Sequence, residues 1–208
     1  MIYWIVTTSL IEQNADLREK QYKRAIGDLL KRLDGKPIKV ILVENTSRTK
    51  SFLDEFGVDV VYTQNNLTPT SNYGIKELQD VLHVVRQYSI QPDDYVVKMT
   101  GRYFLSEQSK FLDILLNLDS KYEAVLKYGW WEPSPRTKHA DCITGLICMK
   151  CKYLKKIRIP ENSDTTTAIE HRWAEVTLDI PDALICMLDT LGIHMTSKNN
   201  PYHGTTYM

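Results

Sequence analysis

An α/β fold, with a mixed, mainly parallel sheet and helices on both faces, is the architecture this chain predicts, and three observations predict it. Through the first hundred residues, β-branched and aromatic runs alternate with stretches of helical periodicity, the pattern of βαβ units. The runs are short and close to continuously apolar, as buried strands are, while the helical stretches carry one apolar face. Finally, four successive strand ends carry polar clusters, Thr7-Thr8-Ser9, Glu44-Asn45, Gln64-Asn65-Asn66 and Thr100-Gly101-Arg102. In an open α/β sheet the ligand crevice lies outside the carboxyl ends of the strands.

The elements follow in order. Ile2 to Thr8 predicts a first strand, and Ala15 to Leu33 a helix, with Leu17, Tyr22, Ala25, Ile26, Leu29, Leu30 and Leu33 at helical spacing until Gly35-Lys36-Pro37 stops it. Ile38 to Val43 is the second strand, broken only by Lys39. A short helix over Ser51 to Phe56 leads through Gly57 to a third strand, Val58 to Tyr62. Gly74 to Tyr88 is helical, with Ile75, Leu78, Val81, Leu82 and Val85 on one face, and Tyr95 to Met99 is the fourth strand. Beyond it the spacing predicts a helix over Lys110 to Leu118, strands over Ala124 to Tyr128 and Ile143 to Met149, and helices over Cys151 to Ile157, Thr165 to Val176 and Pro181 to Leu191. The expected organisation is a single domain with a nucleotide-binding half (1–105) and an acceptor-binding half (106–208).

Composition narrows the function. Acidic and basic residues balance at 26 each, so no overall field draws the chain to nucleic acid or to a membrane surface. No apolar run approaches the ~20 residues of a membrane-spanning helix, and the apolar amino end has neither a basic lead-in nor a cleavage site, so it reads as a strand rather than a signal peptide. Cys148-Met149-Lys150-Cys151 has the spacing of redox and zinc sites, but no second pair completes a zinc site and the surrounding residues read as a buried strand. The cysteines give no disulfide framework, so a reducing, cytoplasmic setting is expected.

The strand ends carry the chemistry. Arg102 follows Gly101 just past the fourth strand, where a guanidinium can grip phosphate oxygens bidentately and a glycine lets backbone N–H groups come close. Lys98 sits inside the strand and must either reach solvent or pair within the crevice, because an unpaired buried ammonium is costly. Glu44 and Asn45 are placed to hydrogen-bond a ribose or a base, or else to cap a turn. Asn72 suits the amino end of the following helix, where a helix dipole favours an anion. Trp130 and Trp131 are neighbours in an irregular Pro-rich loop. Adjacent residues alternate sides on a strand, so one indole is expected to pack inward and the other to offer a platform for a sugar ring. His203 lies in a polar tail and reads as either disordered or folded back onto a diphosphate or metal.

Lys98-Met99-Thr100-Gly101-Arg102-Tyr103, with Asn72-Tyr73-Gly74-Ile75-Lys76-Glu77, Val43-Glu44-Asn45-Thr46-Ser47, Thr144-Gly145-Leu146-Ile147 and Ile169-Glu170-His171, resembles the small GT-A-type nucleotide-diphospho-sugar glycosyltransferases of large DNA viruses and bacteria. The resemblance spans most of the chain and rests on the order and spacing of these segments. It implies a GT-A-like (Rossmann-like) fold, a UDP- or GDP-linked sugar donor and a glycan acceptor. It also implies a nucleotide site formed by Thr7, Thr8, Glu44, Asn45, Asn72, Gly74, Lys98, Thr100, Gly101 and Arg102. Glu170 would be the general base, with Asp141 as the second candidate, and Trp130, Trp131 and His139 would seat acceptor or sugar. One departure stands out: most such enzymes hold Mn²⁺ or Mg²⁺ on an Asp-x-Asp at the fourth strand end, and here that position reads Met99-Thr100-Gly101-Arg102. Either Arg102 and Lys98 neutralise the diphosphate without metal, the preferred reading, or Glu44 or His203 holds the ion. The rival functions are a nucleotidyltransferase, which would carry a glycine-rich signature absent from Thr7-Thr8-Ser9-Leu10, and a catalytically silent carbohydrate-binding protein.

Overall fold

Trp4 and Val6 leave one face of the first strand and Ile5 leaves the other, and this alternation organises the molecule. A computed structural model describes residues 1–70, 72–118, 121–129, 134–159, 168–196 and 204–207. β1 (Ile2–Thr8), β2 (Ile38–Glu44), β3 (Asp59–Tyr62) and β4 (Tyr95–Thr100) lie parallel in the order β3-β2-β1-β4. Ile2 faces Ile38 on one side and Tyr95 on the other, so the three central strands run in step and end together at Thr8, Glu44 and Thr100. After β5 (Tyr103–Leu105) the main sheet continues through β6 (Ala124–Leu126), β7 (Leu146–Lys150) and β8 (Ile185–Met187), giving seven strands in the order β3-β2-β1-β4-β7-β6-β8. β7 is antiparallel to both β4 and β6, and β8 is parallel to β6. The carboxyl ends of β6 and β8 and the amino end of β7 therefore share one rim with the ends of β1, β2 and β4. A second sheet of β5, β9 (Ile193–Thr196) and β10 (Gly204–Tyr207) is antiparallel, in the order β10-β9-β5.

Two apolar layers cover the main sheet. On one face α1 (Ala15–Leu33) brings Tyr22, Ile26 and Leu29, and α3 (Phe111–Leu116) brings Phe111 and Leu115, onto Trp4, Val6, Leu42, Val97 and Met99. On the other, α2 (Tyr73–Gln87) supplies Ile75, Leu78, Val81, Val84 and Val85 to Ile5, Ile41, Val43 and Val96. There they meet α4 (Cys151–Leu154) and Ile169, Trp173 and Ala174 of α5 (Ile169–Thr177). The C-x-x-C cysteines belong to this packing: Cys148 lies in the first layer and Cys151 in the second, both as buried free thiols. Burial pushes both thiols up, away from the reactive thiolate.

The elements expected through Thr100 match within a residue or two, and the rest of the chain departs in several places. The helix expected over Pro181 to Leu191 is a 3-10 turn, Asp182–Leu184, followed by β8. A continuous apolar run such as Leu184 to Leu188 suits either element by pattern, and parallel pairing with β6 decides it. β5, β9 and β10, the strands of the second sheet, were not expected; at three or four residues each they are too short to show a period. β7 starts at Leu146 rather than Ile143 because Thr144-Gly145 forms a turn whose glycine is pressed against Tyr103: a Cβ there would meet Tyr103 Cε2 at 2.5 Å. Among the described residues no helix is long and apolar enough to cross a membrane.

Candidate functional site

The tips of β1, β2 and β4 open into a crevice of about 450 Å³. Thr7, Thr8 and Ser9 line it from β1, Asn45 from β2, and Thr100 and Arg102 from β4, with Arg18 and Tyr22 of α1 and Tyr73, Lys76 and Glu77 of α2 closing the sides. Arg102 and the first two strand tips thus share one pocket, in the place that the order of polar clusters indicates. Among the described residues it holds three cations, Arg18, Lys76 and Arg102, against one carboxylate, Glu77. The first turn of α2 faces it, so the positive end of the helix dipole adds to the same sign.

The floor is built from buried polar groups. Glu44 is fully buried (0% exposed) and both its oxygens are engaged. Oε2 accepts from the Thr8 hydroxyl (2.8 Å); Oε1 accepts from the backbone of Leu10 (3.1 Å) and Thr46 (3.1 Å) and from the Thr46 hydroxyl. Expected to meet a ribose or a metal, Glu44 instead ties the loop after β1 to the end of β2. Tyr22 does similar work from α1: its hydroxyl accepts from Ser9 N (3.0 Å) and donates to Ser9 O (3.3 Å), while Arg18 donates to it (3.2 Å). Asn45 does line the crevice, and its Nδ2 donates to Asp80 Oδ2 (2.8 Å). Asp80, wholly buried on α2, also accepts from Thr63 Oγ1 (2.8 Å) and Asn65 Nδ2 (2.7 Å), so one carboxylate gathers the ends of β2 and β3. Burial raises its pKa to about 6 against the pull of its three donors, and the charge of Glu77 pushes the same way as burial.

At the end of β4, Lys98 is 2% exposed and its three N–H groups are all engaged. They reach Thr144 O (2.6 Å), Thr100 Oγ1 (2.8 Å) and the carboxylate of Glu77. Thr100 donates its own hydroxyl hydrogen bond to Glu77 Oε2 (3.1 Å). Lys98 pairs within the crevice wall and reaches a ligand only through this network. Gly101 also differs from expectation. Its N–H donates to Thr7 O (2.9 Å), and a Cβ would meet Thr8 Cγ2 at 2.9 Å and Tyr22 Cδ1 at 3.1 Å. The glycine lets the turn lie against β1 and does not offer its N–H to a ligand. Gly74 is a close-approach residue too: a Cβ would fall 2.1 Å from Ile169 Cγ2, so α2 and α5 touch there. Its N–H is capped by Asn72 Oδ1 (3.0 Å), which places Asn72 in the helix cap.

The same contact sets the neighbouring part of the rim. Glu170, in the first turn of α5, accepts from Thr144 Oγ1 (3.5 Å), and Thr144 O is the acceptor of Lys98, so Glu170 adjoins the β4 end of the crevice. Asp141 precedes the bridge Tyr128–Cys142 rather than lying on a strand, and its Oδ1 is 3.4 Å from His171 Nε2. His139 is exposed and stands edge-on to His171, with ring centres 6.5 Å apart. Trp130, Trp131 and His203 lie outside the described residues. Lys127, just past β6 on this rim, is 2% exposed and its ammonium has no hydrogen-bond partner among the described residues. Burial pushes its pKa down, with Asp189 pulling the other way.

A divalent ion of the kind the resemblance implies does not fit the described residues. The acids at the crevice are Glu44, Glu77 and Asp80, each engaged by protein donors, and no three metal-ligating side chains converge among the described residues. Arg18, Tyr22, Lys76, Glu77 and Asp80 were not anticipated. Their signal is positional, since each lies one to three turns into a helix that follows a polar strand end. A larger open groove of about 1240 Å³ runs between the outer side of α1 and residues 104–108 and 189–194. It includes none of the strand ends of the parallel core, which is why the chemistry is assigned to the smaller crevice.

No protein-family model matches this chain, and no curated protein does. Solved structures do. The galactosyltransferase LgtC, in complex with donor and acceptor sugar analogues, superposes with a TM-score of 0.55 at 8% identity, over 97% of this chain and 89% of that one. A glycosyltransferase involved in glycosylation of the major capsid of PBCV-1 gives 0.52 at 10% identity, over 91% and 84%. A protein named as a nucleotide-diphospho-sugar transferase from Desulfovibrio desulfuricans G20 gives 0.51 at 12% identity, over 90% and 79%. At these identities the likeness is one of fold: this chain has the GT-A-like, Rossmann-type sheet of those glycosyltransferases.

Proposed function

We propose that the protein is a glycosyltransferase that takes a sugar from a nucleoside diphosphate and moves it to an acceptor hydroxyl, on a glycan. The observation that carries this reading is the meeting of Arg18, Lys76 and Arg102 at the strand-end crevice, whose carboxylates are already engaged by the protein. A diphosphate needs positive charge as it departs, and cations held by the fold at the crevice provide it with little reorganisation. Arg102 is the principal diphosphate ligand in this reading, with Lys76 and Arg18 beside it. Lys98 acts indirectly, by holding Glu77 and Thr100 in place. No divalent ion is assigned a role.

Glu170 takes the general-base role. The acceptor oxygen attacks the anomeric carbon, the bond from that carbon to the diphosphate oxygen breaks with its electron pair leaving on the diphosphate, and the acceptor proton passes to the Glu170 carboxylate. The sugar carbon inverts. Two features support Glu170 over Asp141: its link through Thr144 to the β4 end, and the engagement of Asp141 by His171. Calorimetry with UDP and GDP, each with EDTA and with Mn²⁺, tests the reading. At least one should bind in EDTA, and Arg102→Ala should weaken it by roughly ten- to a hundredfold, the worth of a charge-assisted hydrogen bond. Absence of binding to either nucleotide in both conditions would falsify the proposal.

A further inference from the structure

Asn45 is 3% exposed and lines the crevice, and its two amide ends have different fates. Nδ2 donates to Asp80 Oδ2 at 2.8 Å, whereas Oδ1 is buried and has no hydrogen-bond partner among the described residues. A buried acceptor left unmet costs on the order of 1–3 kcal/mol, so a group of this kind at a crevice wall wants a donor from outside the protein. The orientation is not open to choice. A carboxylate only accepts, so the amide must turn its nitrogen to Asp80 and its oxygen away. Asp80 cannot turn either, because Thr63 Oγ1 and Asn65 Nδ2 both donate to its Oδ1, at 2.8 and 2.7 Å.

Resting on the nucleotide reading above, we infer that Asp80 is a positioning residue that fixes the Asn45 carbonyl oxygen as an acceptor, selecting nucleoside diphosphates whose base carries a ring N–H. A ribose hydroxyl can rotate to suit either polarity, so a locked oxygen discriminates only against groups that cannot turn. Ring nitrogens are such groups. Uracil and guanine present a ring N–H, and cytosine and adenine present a ring acceptor at the corresponding place. Asp80 is out of reach of the ligand and acts through Asn45 alone.

Asp80→Asn inverts the arrangement with almost no change of shape. The new amide keeps its oxygen toward Thr63 and Asn65, its nitrogen faces Asn45, and Asn45 must turn its oxygen inward and its N–H₂ outward. Binding of UDP, CDP and 2′-deoxy-UDP is measured at pH 8 by calorimetry for the parent, Asp80→Asn, Asn45→Ala and the double variant, with GDP and ADP as the purine pair. The parent should prefer UDP to CDP, or GDP to ADP. Asp80→Asn should lower that ratio about tenfold, the cost of one mismatched buried hydrogen bond. Asn45→Ala should lower it comparably, and adding Asp80→Asn to it should change the ratio no further. A thermal melt confirms that each variant is folded, and Asn45→Ala alone decides the base contact where Asp80→Asn is not. An unmoved ratio in folded Asp80→Asn, an equal drop in the Asn45→Ala background, or a ratio of one with loss of affinity on 2′-deoxy-UDP would each overturn the assignment while leaving nucleotide binding intact. A parent that binds no nucleoside diphosphate overturns the function itself.

Discussion

Two lysines end neighbouring stretches of the same rim, and the protein treats them differently. Lys98, near the end of β4, has Glu77, Thr100 and Thr144 around its ammonium; Lys127, past β6, is as deeply buried and has no hydrogen-bond partner among the described residues. The contrast extends to their surroundings. The front rim is cross-linked by buried polar hubs, Glu44 from β2 and Asp80 from α2, each filled by donors from other elements. The described back rim carries fewer such ties: Glu170 has one long hydrogen bond from Thr144 and Asp141 a pair with half-exposed His171. On the proposed function, the nucleotide site benefits from a rigid wall, whereas groups that take a proton or meet an acceptor must keep their valences open.

The strongest test of that contrast is Lys98→Met. It strands the Glu77 carboxylate in a wall with 25% exposure, and breaking such a pair costs about 3–5 kcal/mol. Chemical denaturation should show the loss, and Glu77→Leu in the same chain should recover most of it. Equal instability of the single and double variants would show that the pair is not what holds the front rim together.

Asp80 gives the next largest effect, read as a function of pH. Its carboxyl is raised to about 6, so the folded chain keeps a proton that the unfolded chain, with the carboxyl near 3.8, has already lost. The folded form binds more protons in that window, and stability must therefore fall as pH rises from about 4 to 6, by up to about 3 kcal/mol for this group. The difference between the pH–stability curves of the parent and Asp80→Asn should show that slope. A flat difference would mean that the three donors fully compensate burial.

Gly74 joins the two halves through its contact with Ile169, and Gly74→Ala should force α2 and α5 apart at a cost of about 1–3 kcal/mol. Should nucleotide affinity hold while transfer drops, the junction positions Glu170 rather than the diphosphate cations. Lys127→Met is the smallest change and has the opposite sign. Replacing an ammonium with no hydrogen-bond partner among the described residues by an apolar chain of similar length should raise stability by about 1 kcal/mol, near the low end for such replacements because Asp189 acts in its favour. A fall in stability instead would mean that the ammonium has a role in the fold.

The front half was legible because its signals are local. The boundaries of α1, Ala15 and Leu33, follow from apolar spacing and the glycine-proline stop, and the parallel pairing of the core strands follows from alternation with helices, although their order does not. The crevice was legible as a place, since polar clusters at Thr7, Asn45 and Arg102 come to one rim whenever parallel strands end in step. The roles of individual residues were less so. Glu44 and Gly101 sit at the rim in sequence but are consumed in three dimensions, by four protein donors and by contact with β1 respectively.

Taken alone, the amino-acid order determined the alternation of strand and helix, the two-faced burial of the sheet and the end of the strands at which polar side chains collect, because periodicity and turn residues act over a few neighbours. Tertiary structure decided which polar side chains remain available. Lys98 met Glu77 across 21 positions and Asn45 met Asp80 across 35, and whether a buried charge or amide is spent on the protein or kept for a ligand depends on partners that no local pattern brings together.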